Sequence, residues 1–322
     1  MFYISSLGHS ATAWLASILS EHPDLVCFHG TRSIPPYESG TFDMNPSEFV
    51  DGLIQLEKKC RHKKQFGACH GFYGSILKKD IESKGGKYMA IVRHPVKRIQ
   101  SMFESKLLSY LLRKKNINGI SKINLDFYKK LIDDETLRYA EQSIIFNLDF
   151  YVHNSKTKSH NISQVNRVKK KLFKKYIKLN HKFLNFKYES SELIDIVGYK
   201  SKKIVPLLII DLFFELCNSV LIFDLENFNE CSESQLLVME EMTTSKEYFA
   251  DKILSNLVNY PDQNFLIDDF QTKEVYNKHS RISELDPQST YENWPHIFKH
   301  IYNIALTKFE IKENYISLGY KM

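Results

Sequence analysis

The chain of 322 residues has only 12 glycines, 9 prolines and 2 tryptophans. So little Gly and Pro excludes a collagen-like, low-complexity or broadly disordered chain. Its five cysteines (Cys27, Cys60, Cys69, Cys217 and Cys231) are odd in number and have no CxxC spacing. That argues against a disulfide framework and a zinc ribbon, so no metal is expected, and a reducing, cytoplasmic setting is the simplest reading. Cys27 and Cys217 sit in apolar surroundings, as small core residues do. The opening Met1-Phe2-Tyr3-Ile4-Ser5-Ser6 has neither a basic stretch nor a long apolar one, so no secretory leader is expected. The sequon Asn161-Ile162-Ser163 then carries no meaning. The most apolar run, Ile204 to Cys217, is broken by Pro206, Asp211 and Glu215. It reads as a buried helix rather than a bilayer span.

What is present is enough apolar matter for a sizeable core: 43% hydrophobic and 13% aromatic residues. The net charge is +6, from 44 Lys+Arg against 38 Asp+Glu, and it is unevenly placed. Residues 156–187 carry eleven Lys/Arg and no Asp or Glu; the rest of the chain holds 33 basic against 38 acidic residues, a net −5. Val168, Leu172, Phe173, Tyr176, Ile177 and Leu179 make part of that segment a basic amphipathic helix. Its ordinary meaning is a solvated face. The sharper one is a platform for a polyanionic acceptor, such as an acidic glycan, or a peripheral contact with an anionic membrane. No recognition motif for nucleic acid accompanies it.

The first hundred residues alternate between strand and helix patterns. Phe2–Ser6, Asp24–Phe28, Gln65–Cys69 and Lys87–Val92 read as strands; Ala11–Glu21 and the stretch after Pro95 read as helices. Such alternation implies an α/β fold with a mostly parallel sheet. Lys97 to Cys217 is mainly helical by period, and Val220–Asp224 reads as one more buried strand. Trp294–Thr307 closes the chain as a helix, and the polar stretch His153–Asn166 is a candidate mobile loop. The expected organisation is a single domain. Residues 1–104 form a nucleotide-binding core, 105–217 a helical insertion on the acceptor side, and 218–322 the last core strand and C-terminal helices.

Two places have the chemistry of anion binding. Strand Phe2–Ser6 feeds Leu7-Gly8-His9-Ser10 and then a helix, which gathers backbone N–H groups and a helix dipole around one point. An ordinary helix capped by Ser10 is the alternative. No Gly-Lys-Ser/Thr ending follows, which excludes a Walker A loop and weighs against a P-loop kinase. The second place is the end of Lys87–Val92, where Arg93 stands at the mouth of a parallel strand and Ser101 lies eight residues on. A guanidinium fork and a hydroxyl there suit a second phosphate.

These segments, HSATAWL and KYMAIVRHPVKRIQS, resemble the sulfotransferases that use 3′-phosphoadenosine 5′-phosphosulfate. The closing Trp294 and Leu318-Gly319-Tyr320 are similar to many bacterial members. The resemblance covers residues 2–30 and 87–104 and is looser at the C-terminus. It implies a three-layer, P-loop-like sulfotransferase fold, with His9, Ser10, Ala11, Thr12, Ala13 and Trp14 around the 5′-phosphosulfate and Arg93 and Ser101 on the 3′-phosphate. It also implies Arg281 in a late loop over the nucleotide. The implied reaction moves a sulfuryl group to a hydroxyl of a carbohydrate or small molecule, with a histidine as base. His70 matches the family's base in position; His29 follows the second strand, where other members place an acidic base, and is the second candidate. Either is alternatively a packed histidine. Two residues depart from the pattern: His9 stands where the family has a cation, and Ala11 where it has a glycine. Lys78 and Arg32 are candidate substitutes for that cation. The alternative reading is a non-catalytic nucleotide-binding module that kept the fold.

Overall fold

The computed structural model describes residues 1–30, 45–60, 64–70, 77–113, 135–140, 142–143, 204–258 and 286–322. The basic run 156–187, the candidate loop His153–Asn166, Arg32 and Arg281 lie outside them. The chain divides into two compact units. The first holds Met1–Pro95, Val220–Lys278 and Phe309–Met322; the second holds Val96–Ser219 and His279–Lys308.

The first unit carries a five-stranded, all-parallel sheet. Its strands are β1 (Phe2–Ser5), β2 (Leu25–His29), β3 (Gln65–Cys69), β4 (Lys87–Val92) and β5 (Leu236–Val238), in spatial order β2-β3-β1-β4-β5. The fold is therefore α/β, as the alternation of patterns implies. Every residue of β1 and all of β4 beyond Lys87 is buried, so both faces of the sheet are covered, as in a three-layer arrangement. Helix α1 (Thr12–Glu21) packs Trp14, Leu15, Ile18 and Leu19 onto the sheet. Each such fully buried side chain contributes about 1.5–3 kcal/mol. Helix α2 (Pro46–Lys59) starts on Pro46, with the Asn45 side chain accepting from the Ser47 N–H. Helix α3 (Lys78–Ser83) precedes β4, and α4 (Pro95–Arg113) follows it.

The strand expected at Val220–Asp224 is not there: these residues lie inside one long helix, α5 (Ile204–Glu230). The last strand of the sheet is instead Leu236–Val238, paired to Ala90–Val92. A short apolar run has no period of its own, and here it continues an apolar helix 27 residues long. Three fully buried polar groups on α5 find hydrogen-bond partners. The Tyr110 hydroxyl donates to Asp211 at 2.5 Å, the Tyr315 hydroxyl to Asp224 at 2.6 Å and the Tyr88 hydroxyl to Asn227 at 3.3 Å. Pro206–Glu230 is long and apolar enough to cross a membrane, yet 72% of its most apolar stretch is buried within the protein, as in a core helix.

Beyond β5 the first unit continues with α6 (Met239–Thr244) and further turns to Leu257, including a π-helical stretch at Phe249–Leu254. Phe249 meets Trp14 edge-on, with centroids 5.9 Å apart. The second unit has its own aromatic centre. Phe213 stacks on Phe298 at 3.9 Å, with Phe103 and Trp294 edge-on to Phe213, and Gln100 Oε1 accepts from both Trp294 Nε1 and the Tyr139 hydroxyl at 2.6 Å. Helix α7 (Pro287–Glu292) leads to Trp294, and α8 (His296–Phe309) follows it, so the tryptophan precedes the closing helix. The first unit then ends with α9 (Lys312–Ser317).

Candidate functional site

In a parallel sheet all carboxyl ends open on one edge. The order β2-β3-β1-β4-β5 sends the chain toward β2 after β1 and toward β5 after β4. A crevice forms outside the sheet where two neighbouring strands part in this way, which here is between β1 and β4. The Gly8–Ala11 loop leaves β1 at that point and Arg93 leaves β4 there, so the topology juxtaposes the two segments singled out as anion-binding. Arg93 Nη1 donates to the His9 carbonyl at 2.5 Å, tying the strand end to the loop.

The loop is held in an uncommon backbone conformation. Gly8, His9 and Ala11 have φ of 94°, 55° and 55°. Gly8 also lies against the His70 ring: a Cβ at Gly8 would sit 3.4 Å from His70 Cε1. That approach is ordinary contact, so it is the positive φ that calls for glycine at Gly8. His9 and Ala11 lack that freedom, and left-handed backbone costs a non-glycine residue about 1–2 kcal/mol. Non-glycine residues in such conformations concentrate at ligand sites. Ser10 does not cap α1. Its hydroxyl donates to the Gly8 carbonyl at 3.1 Å, and the N-cap is Ala11, with no side-chain bond. The start of α1 therefore presents its backbone N–H groups without a serine cap, beside the positive end of the helix dipole. Trp14 is sealed in the core at 2% exposure, so its ring faces the sheet and Phe249 rather than solvent. Ala13 occupies the first turn of α1, half-buried.

The two candidate histidines come together. His29 ends β2 and His70 follows β3; their rings stack with centroids 5.8 Å apart and planes 22° from parallel. His70 Nδ1 lies 3.0 Å from the Ser6 carbonyl, and a carbonyl only accepts. The proton of neutral His70 is therefore on Nδ1, leaving the Nε2 lone pair as its basic position. His29 Nε2 meets Thr12 Oγ1 at 3.1 Å. Desolvation, and secondarily the neighbouring His70, holds the His29 imidazole below its ordinary range. His70 also has positive φ, 69°, and its N–H extends the ladder to the Ile4 carbonyl. Beneath the pair, Cys27 and Cys69 place their sulfurs 3.1 Å apart, and burial pushes the Cys69 thiol well up.

Ser101 is buried in α4, six residues beyond Pro95, and belongs to the second unit. Lys78 pairs with Glu82 at 2.7 Å on α3, one helical turn on. Among the described residues no group of three or more His, Cys, Asp or Glu is placed to hold a metal ion. Sequence reasoning missed the contact of Gly8 with His70 and the Nδ1–Ser6 bond, neither of which has a sequence signal. In comparisons with known proteins the chain matches no protein-family model, no curated protein and no solved structure.

Proposed function

We propose that this edge of the sheet binds 3′-phosphoadenosine 5′-phosphosulfate and that the protein transfers its sulfuryl group to a hydroxyl acceptor. The observation that carries the reading is the β1–α1 loop, turned into left-handed backbone at Gly8, His9 and Ala11, tied to Arg93 where β1 and β4 part, and packed against His70. Backbone N–H groups at the start of α1 take the sulfonate and phosphate oxygens, while Arg93 serves the 3′-phosphate. The acceptor oxygen attacks sulfur in line. The bond from sulfur to the phosphate oxygen breaks, adenosine 3′,5′-bisphosphate leaves, and the hydroxyl proton passes to His70 Nε2. Positioning and fixed dipoles supply most of the acceleration, and the base about 10²–10⁴-fold.

The test is calorimetric titration of the purified protein with adenosine 3′,5′-bisphosphate, followed by assay with the sulfuryl donor and a panel of hydroxyl acceptors. Micromolar binding that is lost in Arg93→Ala, with turnover abolished but affinity kept in His70→Ala, is the expected result. Absence of binding by the wild type overturns the reading. Loss of turnover in His29→Ala but not His70→Ala would transfer the base role to His29. A second reading is favoured by one feature, the cation frame of the loop being filled by His9, whose carbonyl is occupied by Arg93. It is a nucleotide-binding module without transfer, and nucleotide binding with no turnover on any acceptor would establish it.

A further inference from the structure

Arg93 links β4 to the β1–α1 loop, and its two chain neighbours are both gripped by the segment after α9. That helix ends in a Schellman turn. Gly319 has φ 88°, its N–H donates to the Ile316 carbonyl at 2.9 Å, and the Tyr320 N–H donates to the Tyr315 carbonyl at 3.1 Å. Tyr315 anchors the turn: it is fully buried, bonded to Asp224, and its ring meets Phe228 and Tyr320 edge-on. The turn carries Tyr320 to the end of β4. Its hydroxyl lies 2.7 Å from Glu240 Oε2, to which it donates, and 3.2 Å from the Val92 carbonyl. Glu240 Oε1 also accepts from the His94 N–H at 3.4 Å, and His94 Nε2 donates to the Lys321 carbonyl at 3.0 Å. The His94 ring stands edge-on to Tyr320, centroids 5.4 Å apart.

We infer that Tyr320, Glu240 and His94 form a clamp that positions Arg93 and, through its bond to the His9 carbonyl, holds the β1–α1 loop in its anion-binding shape. Val92 and His94 are held on either side of Arg93, so the clamp fixes the backbone from which the guanidinium reaches the loop. Gly319 is needed to bring Tyr320 there, which gives the Leu318-Gly319-Tyr320 ending a mechanical task. The three residues are positioning residues; none of them is asked to touch a ligand.

Two measurements on the full chain test the clamp. Only the second, which rests on the nucleotide reading above, depends on what the site binds. In hydrogen exchange, Tyr320→Phe and Glu240→Ala are expected to accelerate the amides of residues 8–15 about tenfold, with those of β1 and β3 unchanged. Glu240→Gln should stay near wild type. Its amide oxygen still accepts from His94, its NH₂ donates to Tyr320, and the tyrosine proton turns to Val92. In titration with adenosine 3′,5′-bisphosphate, the same two variants should bind about tenfold more weakly and Glu240→Gln should not. Unchanged exchange in the loop overturns the clamp, as does a uniform rise across the sheet, which marks a merely structural role. Wild-type affinity in Tyr320→Phe also overturns it. If the wild type binds no nucleotide, the nucleotide reading fails and the exchange measurement alone decides the clamp.

Discussion

Ala11 is the residue on which the loop geometry can be weighed most directly. It occupies the N-cap of α1 at φ 55°, ψ 23°, where a Cβ costs about 1–2 kcal/mol. Ala11→Gly removes that strain. It also frees the unfolded chain, worth about 0.4–1 kcal/mol, and strips a half-buried methyl packed on the core, about 0.4 kcal/mol. Taking mid-range values, the variant comes out more stable by about 0.4 kcal/mol. Ala13→Gly, two residues on but inside the first helical turn, has no strain to relieve and loses about 0.5–1 kcal/mol. The contrast between the two, about 1.2 kcal/mol, is firmer than either value, because both lose one methyl near the same helix end. With a urea slope of about 3 kcal/mol/M, it separates the unfolding midpoints by about 0.4 M. Ala11→Val should move the midpoint the other way, a β-branched side chain being least tolerated at positive φ. Equal losses in Ala11→Gly and Ala13→Gly would refute the strained-loop account.

Gly67 in β3 faces the Phe2 ring so closely that a Cβ would come within 2.3 Å of Cδ2. Gly67→Ala should therefore destabilise by about 3 kcal/mol in urea unfolding, and Phe2→Leu in the same chain should recover part of the loss. Because the folded protein holds His29 below its ordinary range, the unfolded chain binds that proton more readily. The stability this contributes is complete above about pH 6.5 and is lost as pH falls through the lowered folded value, so His29→Asn should flatten the acid limb of Tm against pH; parallel curves would refute this. Gln100→Leu leaves the Trp294 N–H and Tyr139 O–H without their shared buried acceptor, and the loss should reach about 3 kcal/mol by urea unfolding, with Gln100→Glu milder.

What could be read in the sequence divides along a physical line. β3 and β4 match their expected ends residue for residue, and for β4 the reason is the punctuation that flanks it: Gly85-Gly86 before it and Pro95, where α4 starts, after it. Val220–Asp224 misleads because an apolar pentapeptide fits either period. What keeps the buried Asp211, Asp224 and Asn227 of α5 satisfied is not local either: their partners Tyr110, Tyr315 and Tyr88 lie between 91 and 139 residues away. At the candidate site the strand, loop and helix were legible, and so was the placing of Arg93 at a strand end. Left-handed backbone at His9, Ala11 and His70 was not, since none is glycine and only the surrounding fold imposes it. Ser10 shows the same limit: its type suits an N-cap, yet one residue of left-handed backbone moves the cap to Ala11 and turns the hydroxyl to Gly8.

This geometry bears on how an anion would be held by a chain whose charge outside 156–187 is net −5. Long-range attraction is weak ground for such a site, because charges more than about 8–10 Å apart are largely screened at physiological salt. Short-range donors are not screened in that way when partly buried: amide groups at a helix start, a guanidinium fixed by its bond to the His9 carbonyl, and an imidazole whose proton is assigned by Ser6. Donors of this kind are effective in proportion to how well they are pre-oriented, since any reorganisation on binding subtracts from affinity. It follows that substitutions which loosen geometry without changing charge, at Gly8 or Tyr320, should weaken anion binding more than removal of a distant surface lysine.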